Sequence, residues 1–101
     1  MSEAESCIKR ICSHKGVKLV LIIDSEGRII RAPNADPETE QKYASLISEL
    51  VKKTKGVVRE LDANDGLTFM RIRTGKEEIM IAPDKVDSKY NLIVVQDPKN
   101  S

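Results

Sequence analysis

Aromatic side chains are almost missing: no Trp, one Phe and two Tyr make up 3% of 101 residues. Single-stranded nucleic acids are held on stacked rings, so that class of function lacks its main tool here. Neither sign of charge dominates. Lys and Arg number 17 against 16 Asp and Glu, a formal net charge of +1, and nothing in that balance calls for a polyanionic partner. Two cysteines, Cys7 and Cys12, are too few for a disulfide scaffold, and no Asn-x-Ser/Thr acceptor occurs. Both point to an intracellular, reduced chain. Apolar runs are short, far below the roughly 20 residues a membrane-spanning helix requires. The opening Met1-Ser2-Glu3-Ala4-Glu5 is acidic, unlike a signal peptide. The expectation is a cytosolic protein with no membrane insertion and no nucleic-acid partner.

Catalytic and metal chemistry is equally sparse. His14 is the sole histidine, so every Ser-His-Asp or Cys-His arrangement would have to use it, and its place beside Lys15 at a predicted helix end suits the helix dipole. Cys7 and Cys12 lie about 140° apart around a helix, so they and His14 cannot converge on one ion without unwinding it. Packed cysteines are the simpler reading. Asp62-Ala63-Asn64-Asp65-Gly66 resembles the start of a calcium loop, but the spacing is off and Arg73 occupies the place of the bidentate Glu. Asp62, Asp65 and Asp84 read as turn residues. Arg71, Arg73 and Lys76 read as a solvated strand face. No Gly-rich phosphate loop, GK[ST] element or HExxH helix occurs. A binding module is expected, with no enzyme activity, no cofactor and no metal.

What the chain does have is alternating element signals. At 40% apolar it can build one core, and a single domain over 1–101 is expected. Ser2 and Glu5 form a capping box for an N-terminal helix to about Ser13, with Ala4, Ile8 and Ile11 on one stripe flanked by the cysteines. Val17–Asp24 is apolar on both alternating faces, as a strand covered on both sides should be. Ser25-Glu26-Gly27-Arg28 turns into a short strand, Ile29–Ala32. Leu67–Arg73, Glu78–Lys85 and Tyr90–Gln96 then predict an antiparallel meander. In it Leu92-Ile93-Val94-Val95 suits a sheet centre, and the alternating run around Phe69 suits an edge open to another chain.

Between these strands Asp36 can cap a helix with Pro37 at its first position and Glu38 and Glu40 in its first turn. Apolar periodicity carries straight through Gly56, so one helix is predicted from Pro37 to Leu61. Two apolar rows run along it. Ala44, Ile47, Val51, Thr54, Val58 and Leu61 are small or branched, and Tyr43, Leu46, Leu50 and Val57 are bulkier. Two readings stand: the wide stripe lies flat on its own sheet, or the bulky row seals the sheet while the small row meets a helix of a second copy. On the second reading Ala44, Ile47, Val51, Thr54, Val58 and Leu61, with Thr68, Phe69, Met70 and Arg71 of the edge strand, are candidate interface residues of a homodimer.

Several of these segments together resemble the roadblock-type dynein light chains over nearly the full length. They are Lys15-Gly16-Val17, Glu26-Gly27, Tyr43-Ala44-Ser45-Leu46, Val58-Arg59, Leu61-Asp62, Leu67-Thr68-Phe69, Arg71-Ile72-Arg73, Glu78-Ile79-Met80 and Ala82-Pro83-Asp84-Lys85. Gly56 and the longer Val86-Asp87-Ser88-Lys89 depart from the pattern. The resemblance implies an α/β (α+β) fold of roadblock or profilin-like architecture: a five-stranded, mostly antiparallel sheet sandwiched by two helices, in the order helix-strand-strand-helix-strand-strand-strand. It further implies a homodimer paired through the second helix and edge strand, binding the dynein intermediate chain and supporting cargo attachment, with another light chain as a conceivable partner. Such a protein would reside in the cytoplasm on the microtubule cytoskeleton, or in a cilium or flagellum. The alternative, from fold analogy, is a dimeric scaffold or regulator of a small GTPase.

Overall fold

A strand with branched apolar groups on both faces needs cover above and below, and in the computed structural model Val17–Asp24 sits inside a sheet with both faces largely buried. The structure describes residues 16–32, 36–84 and 89–98; the predicted N-terminal helix over residues 2–13 lies outside them. The described residues form β1 (Val17–Asp24), β2 (Ile29–Arg31), α1 (Pro37–Leu61), β3 (Met70–Arg73), β4 (Glu78–Pro83) and β5 (Tyr90–Gln96). The sheet order is β2-β1-β5-β4-β3, with every pair antiparallel. The apolar run of β5 is central and β3 is an edge, as their patterns require.

Register stacks the apolar residues into rows across the sheet. On the face under α1, Leu19, Val95, Ile79 and Ile72 form one row, and Leu21, Ile93, Ile81 and Met70 the next. Ala44, Ile47 and Val51 of α1 close over them to complete the main core. Because strand side chains alternate, the opposite face carries Val20, Val94 and Met80 in one row and Ile22, Leu92 and Ala82 in another.

The helix runs unbroken through Gly56 between the predicted ends. Pro37 opens it, and the Asp62 N–H donates to the Val58 carbonyl at 3.0 Å to close it. Asp36 occupies the capping position, where its carbonyl accepts the Glu40 N–H at 3.0 Å but its side chain bonds no backbone N–H; its Oδ2 accepts the Thr39 hydroxyl at 2.6 Å. Strands β1 and β5 have the expected bounds, and β2, β3 and β4 are shorter than the sequence suggests: Ala32, Leu67–Phe69 and Asp84 fall outside the ladders. Pro83 can donate no ladder hydrogen bond and ends β4.

One turn sets how α1 lies on the sheet. The Asp24 carboxylate accepts the Glu26 and Arg28 backbone N–H groups, each at 2.9 Å, and Arg28 Nε at 2.8 Å. These donors, led by the Arg28 backbone, hold its pKa below the ordinary value. The tight turn leaves Gly27 at φ 83, where a Cβ would lie 2.7 Å from Ser48 Oγ and 3.4 Å from the Ala44 carbonyl oxygen. The helix can come this close only because small residues, Ala44 and Ser48, stand at the contact.

The two helix rows divide otherwise than the dimer reading expects. Ala44, Ile47 and Val51 of the small row are buried in the chain's own core and Tyr43 of the bulky row packs against it, while three bulky residues expected to seal the sheet point out: Leu46 is 58% exposed, Leu50 38% and Val57 53%. The physical reason is steric, since bulky side chains facing the Gly27 turn would hold α1 off the sheet.

Gly27→Ala should therefore destabilise the chain by about 1–3 kcal/mol, from left-handed backbone strain plus the clash with Ser48. Urea unfolding measures the loss, and Ser48→Gly in the same chain should recover the steric share alone.

Candidate interaction surfaces

Two contacts fix the rotation of α1 about its axis. On one flank Ser48 touches Gly27 and Lys52 Nζ lies 3.8 Å from Glu26 Oε2. On the other, the Tyr43 hydroxyl donates to Glu77 Oε1 at 2.5 Å, and Lys18 Nζ reaches Glu77 Oε2 at 3.3 Å. At about 100° per residue, Leu46, Leu50, Val57 and Leu61 follow the Tyr43 flank, on the side of β4 and the edge strand β3. Steps of three and four from Tyr43 through Leu46, Leu50, Thr54 and Val57 to Leu61 have the spacing of a helix–helix seam. Leu61, at 82% exposure, is the most exposed large apolar residue of the described chain.

Below that flank lies the edge of β3, which among the described residues pairs with β4 on one side alone. Of the expected edge residues, Thr68 and Arg71 are exposed, Met70 is half-buried and Phe69 is 52% exposed. Thr54 and Val58 are half-buried on α1. The structure thus brings Thr54, Leu61 and the β3 edge to one side of the molecule and withdraws Ala44, Ile47 and Val51 from it. The exposed row of Leu46, Leu50 and Val57 was missed because row width alone cannot tell the inner row from the outer. The small residues opposite Gly27 were the signal that could have done so.

On the face away from α1, Val17, Met80, Ala82, Leu92, Val94 and Gln96 line an open, largely apolar groove of about 330 Å³, with Phe69 as its wall. A charged pair stands at its end. Glu78, only 2% exposed, accepts Arg71 Nε at 2.9 Å and Arg71 Nη2 at 2.8 Å on one oxygen, and Gln96 Nε2 at 2.8 Å on the other. The Arg71 bonds are the main reason its pKa lies below the ordinary value, with burial opposing them. A buried carboxylate satisfied on both oxygens ties the edge strand to the sheet centre. Burial, then the bond to Glu77, pushes Tyr43 up to about 12.

Among the described residues no group of three or more His, Cys, Asp or Glu is placed to hold a metal ion, and no helix is long and apolar enough to cross a membrane. The geometry defines a sheet-and-helix module whose accessible features are a bare strand edge, an apolar helix flank and a groove. The Roadblock/LC7 domain model matches residues 3–97, and the chain belongs to that family. Among solved structures, the Roadblock/LC7 domain from Streptomyces avermitilis superposes with a TM-score of 0.78 at 11% identity, covering 89% of this chain and 73% of that one. The gliding protein mglB from Thermus thermophilus gives 0.79 at 15%, covering 99% and 75%. An MglB described with a tetrameric arrangement gives 0.79 at 16%, covering 98% and 74%. Likeness at these identities is a likeness of fold.

Glu78 supplies a pH prediction. A folded-state pKa below the unfolded value contributes stability that is present above the unfolded pKa and lost as pH falls through the folded one. The melting-temperature gap between the parent chain and Glu78→Gln should therefore be widest near neutral pH and close as acid protonates the carboxylate. Thermal melts across that range measure it, and a gap independent of pH would contradict the assignment.

Proposed function

We propose that this chain is a non-catalytic light chain of the dynein microtubule motor, acting as a homodimeric docking module for the dynein intermediate chain. The observation that carries self-association is the apolar flank of α1 beside the unpaired edge of β3. A lone strand edge and the exposed Leu46, Leu50, Val57 and Leu61 on one helix flank are costly to leave in water. Covering what remains exposed of Leu46, Leu50 and Val57, about half of each side chain, would contribute roughly 1 kcal/mol apiece before the cost of association. A twofold axis beside β3 covers both features at once, pairing β3 with its symmetry mate and α1 with α1. The interface residues proposed are Leu46, Leu50, Thr54, Val57, Val58 and Leu61 on the helix, with Thr68, Phe69, Met70 and Arg71 along the edge.

The motor assignment rests on the segments from Leu67-Thr68-Phe69 to Ala82-Pro83-Asp84-Lys85, which resemble those of the roadblock-type dynein light chains. They build the edge strand, the groove wall and the Arg71–Glu78 pair. A symmetric dimer holding two intermediate chains raises the effective concentration of each for the other without new contacts. In this role the chain belongs to the cytoplasmic, microtubule-associated motor or its ciliary counterpart, and carries no ATPase of its own. A second reading, a dimeric scaffold or regulator of a small GTPase, is favoured by the breadth of the fold. A gliding protein shares it at 15% identity, so architecture alone does not choose the partner.

Leu50→Glu or Val57→Glu should halve the apparent mass at micromolar concentration with the circular dichroism spectrum unchanged. Val51→Glu, at a core position, should instead unfold the chain, because it buries an unpaired charge. Titration calorimetry against a dynein intermediate-chain fragment, and separately against small GTPases in both nucleotide states, identifies the partner: binding to the fragment alone supports the motor reading, and binding to a GTPase alone replaces it.

A further inference from the structure

The loop joining α1 to β3 contains a reactive pair. Asp62 anchors it: its backbone carbonyl accepts the Asp65 N–H at 3.0 Å, and its Oδ1 accepts the Asn64 N–H at 2.9 Å. The turn so formed leaves Asp65 and Gly66 exposed, with the Gly66 amide nitrogen 2.8 Å from Asp65 Oδ1. That nitrogen is the atom that can close a five-membered ring on the Asp65 side chain. The space about the Gly66 α-carbon is open, since a Cβ built there meets nothing within 4 Å beyond its chain neighbours.

The other described aspartates are placed differently. Asp36 and Asp97 precede prolines, which have no N–H to lose. Asp24 turns its carboxylate to the N–H groups of Glu26 and Arg28, and Asp62 turns its own to Asn64; in neither is it aimed at the following amide. Asp84 is followed by a residue outside the described set. Asp65 combines an exposed carboxyl, a following glycine and a hydrogen bond that holds the Gly66 N–H at that carboxyl, a proximity that favours an intramolecular reaction.

We propose that Asp65-Gly66 is a site of spontaneous backbone modification, at which the folded chain converts Asp65 to isoaspartate through a succinimide. The Gly66 nitrogen loses its proton to solvent and attacks Cγ of the protonated Asp65 carboxyl. The N–Cγ bond forms and one carboxyl oxygen leaves as water. Water then adds to either ring carbonyl: opening at the side-chain carbonyl restores aspartate, and opening at the main-chain carbonyl gives isoaspartate. One water is lost and one gained, so mass is unchanged and no oxidant or reductant takes part. The product carries an extra methylene in the main chain between α1 and β3, lengthening the tether to the edge strand, and presents a free α-carboxyl that an isoaspartyl methyltransferase recognises.

The test is incubation of the full chain, folded and urea-unfolded in parallel, at physiological temperature and mildly acidic pH. Isoaspartate is read by electron-transfer fragmentation of the residue 65 peptide and by methyltransferase labelling. Folding normally slows this reaction by withholding the geometry, whereas here isoaspartate should accumulate at residue 65 at least as fast in the folded chain as in the unfolded one. Gly66→Ala, which the open space accommodates, should lower the rate by roughly an order of magnitude because the added Cβ hinders closure. Asp65→Glu should abolish the product. Absence of isoaspartate at residue 65, or its formation in the unfolded chain alone, would overturn the proposal.

Discussion

The close seating of α1 on the sheet, where Gly27 meets Ala44 and Ser48, is the constraint on which the rest of the molecule depends. A glycine at positive φ brings the β1–β2 turn up to the helix, and two small residues receive it. That contact and the Tyr43–Glu77 hydrogen bond across the helix act as two points of a clamp. Once rotation is fixed, the 3.6-residue repeat decides the rest: Ala44, Ile47 and Val51 must go inward, and Leu46, Leu50 and Val57 must go out. The apolar surface left outside is thus a consequence of how tightly the inside is packed.

The same logic separates the two sides of the sheet. Under α1 the rows of Leu19 and Leu21 are wholly apolar, and the next row sets a buried Asn91 between Ile23 and Pro83. On the other face apolar rows give way at one end to Val17, Gln96, Glu78 and Arg73, where a buried carboxylate is held by Arg71 and Gln96. An edge strand tied by a charged fork to its neighbour is held in register although it has only one ladder. A rigid edge is a better template for a second strand than a frayed one, because less disorder is lost on pairing.

Much of this was legible in the sequence. The branched run Val17–Asp24, the uninterrupted apolar run of β5 and the apolar period through Gly56 each pointed to the element found, because each signal is a repeat length and repeat lengths are set locally. The helix's inner row was not legible from the pattern, since both rows are apolar and only the Gly27 contact, made across 17 to 21 residues of chain to Ala44 and Ser48, distinguishes them. The Arg71–Glu78–Gln96 cluster escaped for a similar reason: its members come from three strands and meet only after register is set. Of the residues foreseen for self-association, Leu61, Thr68, Phe69 and Arg71 lie at the surface and Met70 is half-buried against the core, while Ala44, Ile47 and Val51 were drawn inward by the steric demand of a distant turn.

The central claim is that the open edge of β3 and the apolar flank of α1 are covered together by a second copy. Amide hydrogen exchange across a dilution series, with sedimentation equilibrium on the same samples, tests it most directly. The edge amides of β3 should gain protection in step with the dimer fraction and lose it on dilution, while the β5 amides stay protected throughout. A chain that remains monomeric at the highest concentration, or one that dimerises while the β3 edge exchanges freely, would contradict it.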